Sequence, residues 1–334
     1  MPGSYALYRC AVLSTSSGSI DSMAGRDSTI HILHLNISFN HQWHADGSDV
    51  NNKEYCEWRA NHLDEPISTL PPCEDELSKT FNYLVEQGYH EAIVTTLSHK
   101  LSDSADVIRK MAAQFPQLKI HVIDTGTCCM PEGFFAMEAE RLLRAGLPPQ
   151  TVVAHLESLK PYCHIVFGLS SLKSLSLGGT LSRVGASFGD WLGLRNVLHF
   201  SQDNLERLET VTDDVKMFDS IIANTVSLMN DKPKDQFILG GLYTGDEERY
   251  QLFAERFFEK TGRRLGQGVP VSPVVAAHVN GMQTVQMLTT KNIANGAPII
   301  WMNQSARCRL AKTNCPKHSI IWWNRAITKP SLRR

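Results

Sequence analysis

Four short runs rich in apolar and β-branched residues, Tyr8 to Leu13, Ile30 to Phe39, Glu91 to Leu97 and Lys119 to Asp124, recur in the first half of the chain, with amphipathic stretches set between them. That alternation is what strands of a parallel sheet joined by crossover helices look like in sequence. Glu74 to Gln87 carries Leu77, Phe81, Leu84 and Val85 at helical spacing and stops at Gly88; a glycine just past the last apolar position is an ordinary helix end. Ser104 to Phe115 repeats the pattern with Val107, Ile108 and Met111 on one face, Pro131 to Ala145 closes at Gly146, and Pro149 to Leu159 starts on paired prolines.

The second half has a different grammar. Strands are expected at His164 to Leu169, Asn196 to Phe200 and Leu205 to Thr210, the last two joined by a short polar link around Asp203-Asn204 as in a hairpin, with a short helix near Trp191. Helix Asp213 to Met229, strand Gln236 to Tyr243, helix Glu247 to Lys260 and strand Val269 to His278 follow. The expected fold is therefore α/β: an N-terminal Rossmann-like domain with a parallel sheet over residues 1–160, and a second α/β domain with a mixed or antiparallel sheet over 161–290. A chain of 334 residues is long enough for two such cores.

Beyond Leu288 the periodicity stops, and residues 291–334 read as a basic, irregular tail. The formal charge of the whole chain is −1, but the tail holds nine Lys and Arg and no acid, leaving 24 basic against 34 acidic residues in 1–290. The tail's charge would suit nucleic acid or an anionic membrane; its lack of period favours an appendage, so nucleic acid is not an expected partner. No stretch approaches the roughly 18 apolar residues of a membrane span, and the N-terminus lacks a basic segment followed by a clean apolar one, so a cytoplasmic location is expected. The eight cysteines fit no zinc pattern, and Cys308, Cys315 and His318, the nearest grouping, have the wrong spacing. No metal and no cofactor is expected.

The segment from Val94 through Thr96, Ser98 and Ser102 to Asp103 brings a buried strand and two serines to the start of a helix. Ligands of open α/β sheets sit beyond the carboxyl ends of the strands, where free helix N–H groups attract anions, so Ser98 and Ser102 are candidates to hold a carboxylate or phosphate; capping the helix is the commoner use of such serines. Ser68-Thr69 precede the rigid Leu70-Pro71-Pro72 and an acidic helix start. His278 ends the apolar run Val274-Val275-Ala276-Ala277 and is expected at a strand tip, where an imidazole can donate to a carboxylate. Gly178-Gly179-Thr180 could offer backbone N–H groups to an anion.

Taken in order, these pieces resemble the DegV family of fatty-acid-binding proteins over roughly residues 8 to 288. Ser68-Thr69-Leu70-Pro71-Pro72 is similar to the family's Thr-Ser-Gln-Pro-Ser loop, and Leu97-Ser98-His99-Lys100-Leu101-Ser102-Asp103-Ser104 to its Leu-Ser-Ser-x-Leu-Ser-Gly-Thr segment. Val122-Ile123-Asp124-Thr125, Leu175 to Ser182 around the double glycine, Ala277-His278-Val279 and the Asp46-Gly47 pair match further family motifs. The resemblance implies a non-catalytic lipid carrier whose acyl chain lies in an apolar tunnel at the domain junction. Its carboxylate would be fixed by Ser68 or Thr69, by Ser98 or Ser102, and by His278, and a separate fatty-acid kinase is the implied partner.

Two departures bear on that picture. Ser14-Thr15-Ser16 stands where the family has Thr-Asp-Ser, and Thr180 stands where its arginine follows the double glycine; losing a bidentate cation weakens kinase docking more than carboxylate binding. The alternative is a serine-dependent esterase using Ser98 or Ser170 with His278. Gly168-Leu169-Ser170-Ser171-Leu172 lacks the closing glycine of a nucleophile elbow.

Overall fold

The computed structural model describes residues 8–23, 28–185, 194–229, 237–266, 268–279 and 283–289. The tail and the helix expected near Trp191 lie outside the described residues.

The first sheet runs in the order β2-β1-β6-β7, built from β1 (Cys10–Thr15), β2 (His31–Leu33), β6 (Glu91–Thr96) and β7 (Lys119–Asp124), and all its pairings are parallel. β1 is buried along its whole length, as a central strand covered on both faces must be. One covering layer is α3 (Glu74–Glu86) with α4 (Ser104–Ala112), whose Leu77, Phe81, Leu84, Ile108 and Met111 close a core over Leu13 and Val94. The other is α5 (Cys129–Arg144), beside α6 (Pro149–Leu159). α5 crosses the Ser16–Gly18 turn closely: a β-carbon on Gly133 would fall 2.2 Å from the Gly18 carbonyl oxygen, so only glycine fits there.

The second sheet has the order β10-β9-β8-β13-β11-β12, from β8 (Cys163–Leu169), β9 (Arg195–Ser201), β10 (Asn204–Val211), β11 (Phe237–Tyr243), β12 (Val269–Pro270) and β13 (Gln283–Thr289). Its pairings are antiparallel except β11 with β12, so it is mixed, as its sequence suggested. β9 and β10 form a two-residue hairpin through Gln202 and Asp203, both at positive φ. Helices α9 (Asp214–Met229) and α10 (Glu247–Thr261) cover it, packing Ile221, Phe253 and Phe257 together. The two sheets draw their strands from either side of residue 160.

A small third sheet, β4-β3-β5, lies between these elements in sequence: β3 (Asn36–Phe39), β4 (Gln42–Ala45) and β5 (Thr69–Leu70), followed after β4 by α2 (Asn52–Ala60). The single strand expected over Ile30 to Phe39 is therefore two strands in two sheets. Side chains and a neighbouring segment take the backbone groups between them: His34 N–H donates to Glu76 Oε1 at 2.8 Å, Leu35 N–H to Ser16 Oγ at 3.1 Å, and the Leu35 carbonyl accepts from Asp46 N–H at 2.8 Å. A ladder cannot continue through groups already paired.

The second correction concerns the run Val269 to His278. It is a two-residue strand, then a helix, α11 (Pro273–His278). Ser272 and Pro273 are a cap residue and a proline at the first helical position, where the missing N–H costs nothing. His278 thus ends a short helix and not a strand. The remaining short helices are α1 (Ile20–Met23), α7 (Lys173–Leu177) and α8 (Thr180–Arg183).

Candidate functional site

Beyond the carboxyl ends of β6 and β7 lies a cavity of about 220 Å3. One wall comes from the first sheet and its loops, through Leu97, Leu101 and Cys129; the other is the face of the second sheet, through Ile165, Phe167, Phe200 and Leu205. Leu175 and α11 residues Val274 and Val275 complete an apolar lining. The polar groups gather toward Thr69, Ser102, Asp103, Thr180, Arg183 and His278.

His278 is the centre of that polar group. Its Nε2 lies 3.1 Å from Thr69 Oγ1 and its Nδ1 3.0 Å from Thr180 Oγ1. One ring nitrogen of a neutral imidazole donates and the other accepts, and the two hydroxyls can satisfy either tautomer. Burial pushes the imidazole's pKa down to about 4, and the positive charge of Arg183 pushes in the same direction, so at neutral pH the ring is uncharged. The ring also needs Gly178: a β-carbon there would sit 2.1 Å from His278 Nδ1. Gly178 therefore serves as a flat bed for the imidazole, which the reading of the double glycine as an anion-binding turn did not foresee.

Arg183 lies one helical turn beyond Thr180 on α8. Its guanidinium holds Asp103 through Nη2 to Oδ1 at 2.6 Å, and this hydrogen bond keeps the Asp103 carboxyl below the usual range. The arginine missing at position 180 is thus answered by one at 183 that still reaches the cavity wall, because positions three apart share a helix face. Sequence matching in fixed register passes over such a shift.

The five sequence candidates divide. Thr69, Ser102 and His278 line the cavity. Ser68 precedes β5, is exposed, and is off its wall, whereas Thr69, Leu70 and Pro71 line it. Ser98 is fully buried and is not on the wall; its hydroxyl donates to Asp203 Oδ1 at the hairpin tip. Of each hydroxyl pair offered by the sequence, one member reaches the cavity: Thr69 and not Ser68, Ser102 and not Ser98. The Ser98–His278 pairing that an esterase needs is not assembled, since both ring nitrogens of His278 face threonines.

Two buried acids lie near the cavity: Asp46, whose Asp46-Gly47 pair was matched to a motif without a role, and Glu132, which carries no obvious sequence signal. Asp46 is fully buried; its carboxylate accepts from Ser16 Oγ at 2.6 Å and from Val274 N–H at 2.9 Å, and burial raises its pKa. Glu132 on α5 is fully buried too, beside the hydroxyls of Thr15 and Ser17, the latter at 2.7 Å. Burial pushes its carboxyl up to about 8. Thr15 is the middle residue of Ser14-Thr15-Ser16, which stands where the family has Thr-Asp-Ser, and Ser17 follows it directly. For a metal, His99, Asp124 and Asp203 are the group among the described residues whose ligand atoms lie within 4.8 Å of one another. They already pair among themselves, His99 Nδ1 with Asp124 Oδ2 at 2.7 Å. Among the described residues no helix is long and apolar enough to cross a membrane.

Comparison with known proteins gives one consistent answer. The family described as uncharacterised protein, DegV family, matches residues 9–285. A DegV domain-containing protein of Listeria innocua is 21% identical over 274 residues, covering 81% of this chain and 95% of its own. Protein DegV of Bacillus subtilis is 24% identical over 202 residues, covering 60% of this chain and 71% of its own. Among solved structures, a stearic acid-binding protein of Eubacterium ventriosum superposes with a TM-score of 0.76 at 20% identity, over 85% of this chain and 98% of its own. A fatty-acid-binding DegV family protein of Thermus thermophilus gives 0.73 at 19%, over 84% and 99%.

Proposed function

This chain belongs to the DegV family, and from that premise we propose that it is a carrier that binds a long-chain fatty acid and performs no chemistry on it. The observation that carries the reading is the cavity itself: an apolar lining that ends in a neutral His278 held between two threonine hydroxyls, with an arginine on the same wall.

In this reading the acyl chain lies between the two sheets, and the carboxylate meets Thr69, Thr180, Ser102, His278 and Arg183. A carboxylate leaving water needs its oxygens hydrogen-bonded or paired. His278 donates one N–H, the threonines rotate their hydroxyls toward the new acceptor, and Arg183 supplies charge. Each methylene buried along Phe167, Phe200 and Leu205 adds about 0.8 kcal/mol. At about 220 Å3 the cavity falls below the roughly 300–1,000 Å3 of pockets that enclose drug-sized ligands. A long chain is then accommodated by displacing side chains at the apolar end and so lengthening the cavity into a tunnel. A separate fatty-acid kinase is the proposed partner, acting on the carboxylate from the Arg183–Asp103 rim, whose side chains are solvent-exposed. A cytoplasmic setting suits that partnership.

Native mass spectrometry of the full chain purified from a bacterial host tests this. The expected result is a mass increment equal to one fatty acid, lost on delipidation and restored on adding oleate. Protein that carries no lipid and takes none up from solution would remove the reading.

A further inference from the structure

The adjacent cysteines at the start of α5 take no part in the reading above, yet both line the acyl cavity. Cys128 is half-buried, Cys129 is buried, and their sulfurs lie 3.6 Å apart. Neighbours in sequence do not ordinarily meet in this way, because successive side chains alternate along an extended chain and diverge around a helix. Here Cys128 is extended, at φ −156° and ψ 179°, and Cys129 takes a positive φ of 58°, which turns the second thiol back onto the first. A buried residue other than glycine in the left-handed region is strained and persists only where its surroundings fix it. The turn before the pair is fixed from two sides: the Thr127 carbonyl accepts from Ser98 N–H at 2.7 Å, and the Gly126 carbonyl from Asp203 N–H at 3.1 Å.

The two thiols differ in what they can do. The hydrogen bond to Cys128, and after it burial, keep the Cys129 thiol well above its ordinary pKa, so it holds its proton. Cys128 is the sulfur that a small oxidant entering the cavity meets first. Cys10 and Cys163 are buried as well, but neither lines the cavity, and burial raises both thiols; they are packing residues.

We propose that Cys128 and Cys129 are a modification site, at which a small hydroperoxide joins them in a reversible disulfide and so weakens acyl binding in the cavity they line. The consequence for acyl binding rests on the carrier reading; the modification itself does not. First the Cys128 sulfur attacks one oxygen of hydrogen peroxide, the O–O bond breaks, and the other oxygen leaves as water with the thiol proton, so that Cys128 becomes a sulfenic acid. The Cys129 sulfur then attacks the Cys128 sulfur. The S–S bond forms as the S–O bond breaks, and the hydroxyl leaves as a second water with the Cys129 proton. The two thiols together lose two electrons, and the two peroxide oxygens gain them. Adjacent Cα atoms are about 3.8 Å apart, inside the roughly 4.4–6.8 Å of ordinary disulfides, so the bond is strained and readily reduced.

Closing the sulfurs from 3.6 Å to a bond of about 2.05 Å moves the wall at the start of α5. The bonded turn passes that shift to Ser98 and to the hairpin tip at Asp203, beside which Phe200 and Leu205 line the cavity. Packed apolar surfaces accommodate such changes of shape poorly.

The test exposes the full chain to hydrogen peroxide, alkylates the free thiols, digests with trypsin without reductant and weighs the peptide 120–141, whose only cysteines are these two. The expected product is that peptide unalkylated and two hydrogens lighter than its reduced form, with both thiols restored by dithiothreitol. Oleate affinity of the oxidised protein should fall about tenfold and recover on reduction. Cys128→Ala and Cys129→Ala should each abolish the peroxide response, whatever their own affinity for oleate. A pair that stays alkylatable while the exposed Cys73 is oxidised overturns the proposal. So does oxidation to sulfinic acid without a disulfide, a disulfide that leaves oleate binding unchanged, or a response that survives in either variant. Should a variant fail to fold, the wild-type peptide mass and its reversal decide. Reduced protein that binds no oleate counts against the carrier reading, and the peptide mass then decides the modification alone.

Discussion

The backbone N–H of Val274 donates to Asp46 Oδ1 at 2.9 Å, so a buried carboxylate some 228 residues away in sequence caps the helix whose last residue is His278. A first-turn N–H has no partner within its own helix, and a carboxylate at that end also favours the helix dipole. Asp46 also accepts from Ser16 Oγ, so one side chain ties the turn at the carboxyl end of β1 to the helix that carries the imidazole of the cavity. Asp46→Ala should cost about 1–3 kcal/mol, the penalty of leaving buried donors unpaired, and should loosen fatty-acid binding through α11. Urea denaturation and a lipid titration check it; unchanged stability would show that the cap contributes nothing.

Glu132 gives a pH dependence whose sign can be worked out. Its folded pKa, about 8, lies above the ordinary 4.5, so between those values the folded state holds a proton that the unfolded chain has released. Its stabilising contribution is complete below 4.5 and is lost as pH rises through 8, a slope of about 1.4 kcal/mol per pH unit within that window. Glu132→Gln, which cannot ionise, should flatten the profile and gain most over the wild type at the alkaline end. Parallel slopes for the two proteins across pH 5 to 8 would contradict the protonated state.

His278 runs the other way. Its pKa is lowered to about 4 from 6.5, so in that window the unfolded chain takes up a proton that the folded chain refuses, and stability falls as pH falls from 6.5 toward 4. In the ligand-free protein the ring proton shifts should titrate near 4; adding a fatty acid brings a carboxylate beside the ring and should raise that midpoint. Gly178→Ala should displace the imidazole from Thr180, moving its titration toward the ordinary value and weakening lipid binding. A midpoint near 6.5 in the wild type, or one indifferent to lipid, would contradict the arrangement.

The elements that sequence alone revealed are those whose stabilisation is local or repetitive. β1, β6 and the helices α3 to α6 announce themselves because a buried inner strand must be almost wholly apolar or β-branched and an amphipathic helix must repeat its apolar face, while β7, half-buried at the sheet's edge, shows only as a short run with Ile120, Val122 and Ile123. Ile30 to Phe39 and Val269 to His278 were misread because non-local contacts decide both: Ser16, Glu76 and Asp46 break the first run, and Asp46 again helps start a helix in the second. The Ser272-Pro273 start was nonetheless readable, as was the Asn51 and Glu54 capping box of α2. Motif order led to loops that line the cavity, but not to which hydroxyl of each pair faces it, since tertiary packing decides that, Ser98 turning to Asp203 while Ser102 stays on the wall. Arg183 was missed because a resemblance compared position by position does not see a side chain moved by one turn.

Arg183 permits the sharpest separation of headgroup from chain. If it faces the bound carboxylate, its removal must weaken acids and leave uncharged lipids alone. A hydrogen bond to a charged group contributes about 1.5–3 kcal/mol, which corresponds to roughly ten- to a hundredfold in affinity. Arg183→Gln should therefore bind oleate ten- to a hundredfold more weakly while binding oleyl alcohol as the wild type does. Asp103→Asn frees Arg183 from its present partner and should leave oleate binding equal or tighter. Displacement of a fluorescent fatty acid by each competitor measures both. Equal losses for acid and alcohol would mean that Arg183 only shapes the wall, and a loss of oleate binding in Asp103→Asn would mean that the Arg183–Asp103 pair itself holds the cavity open.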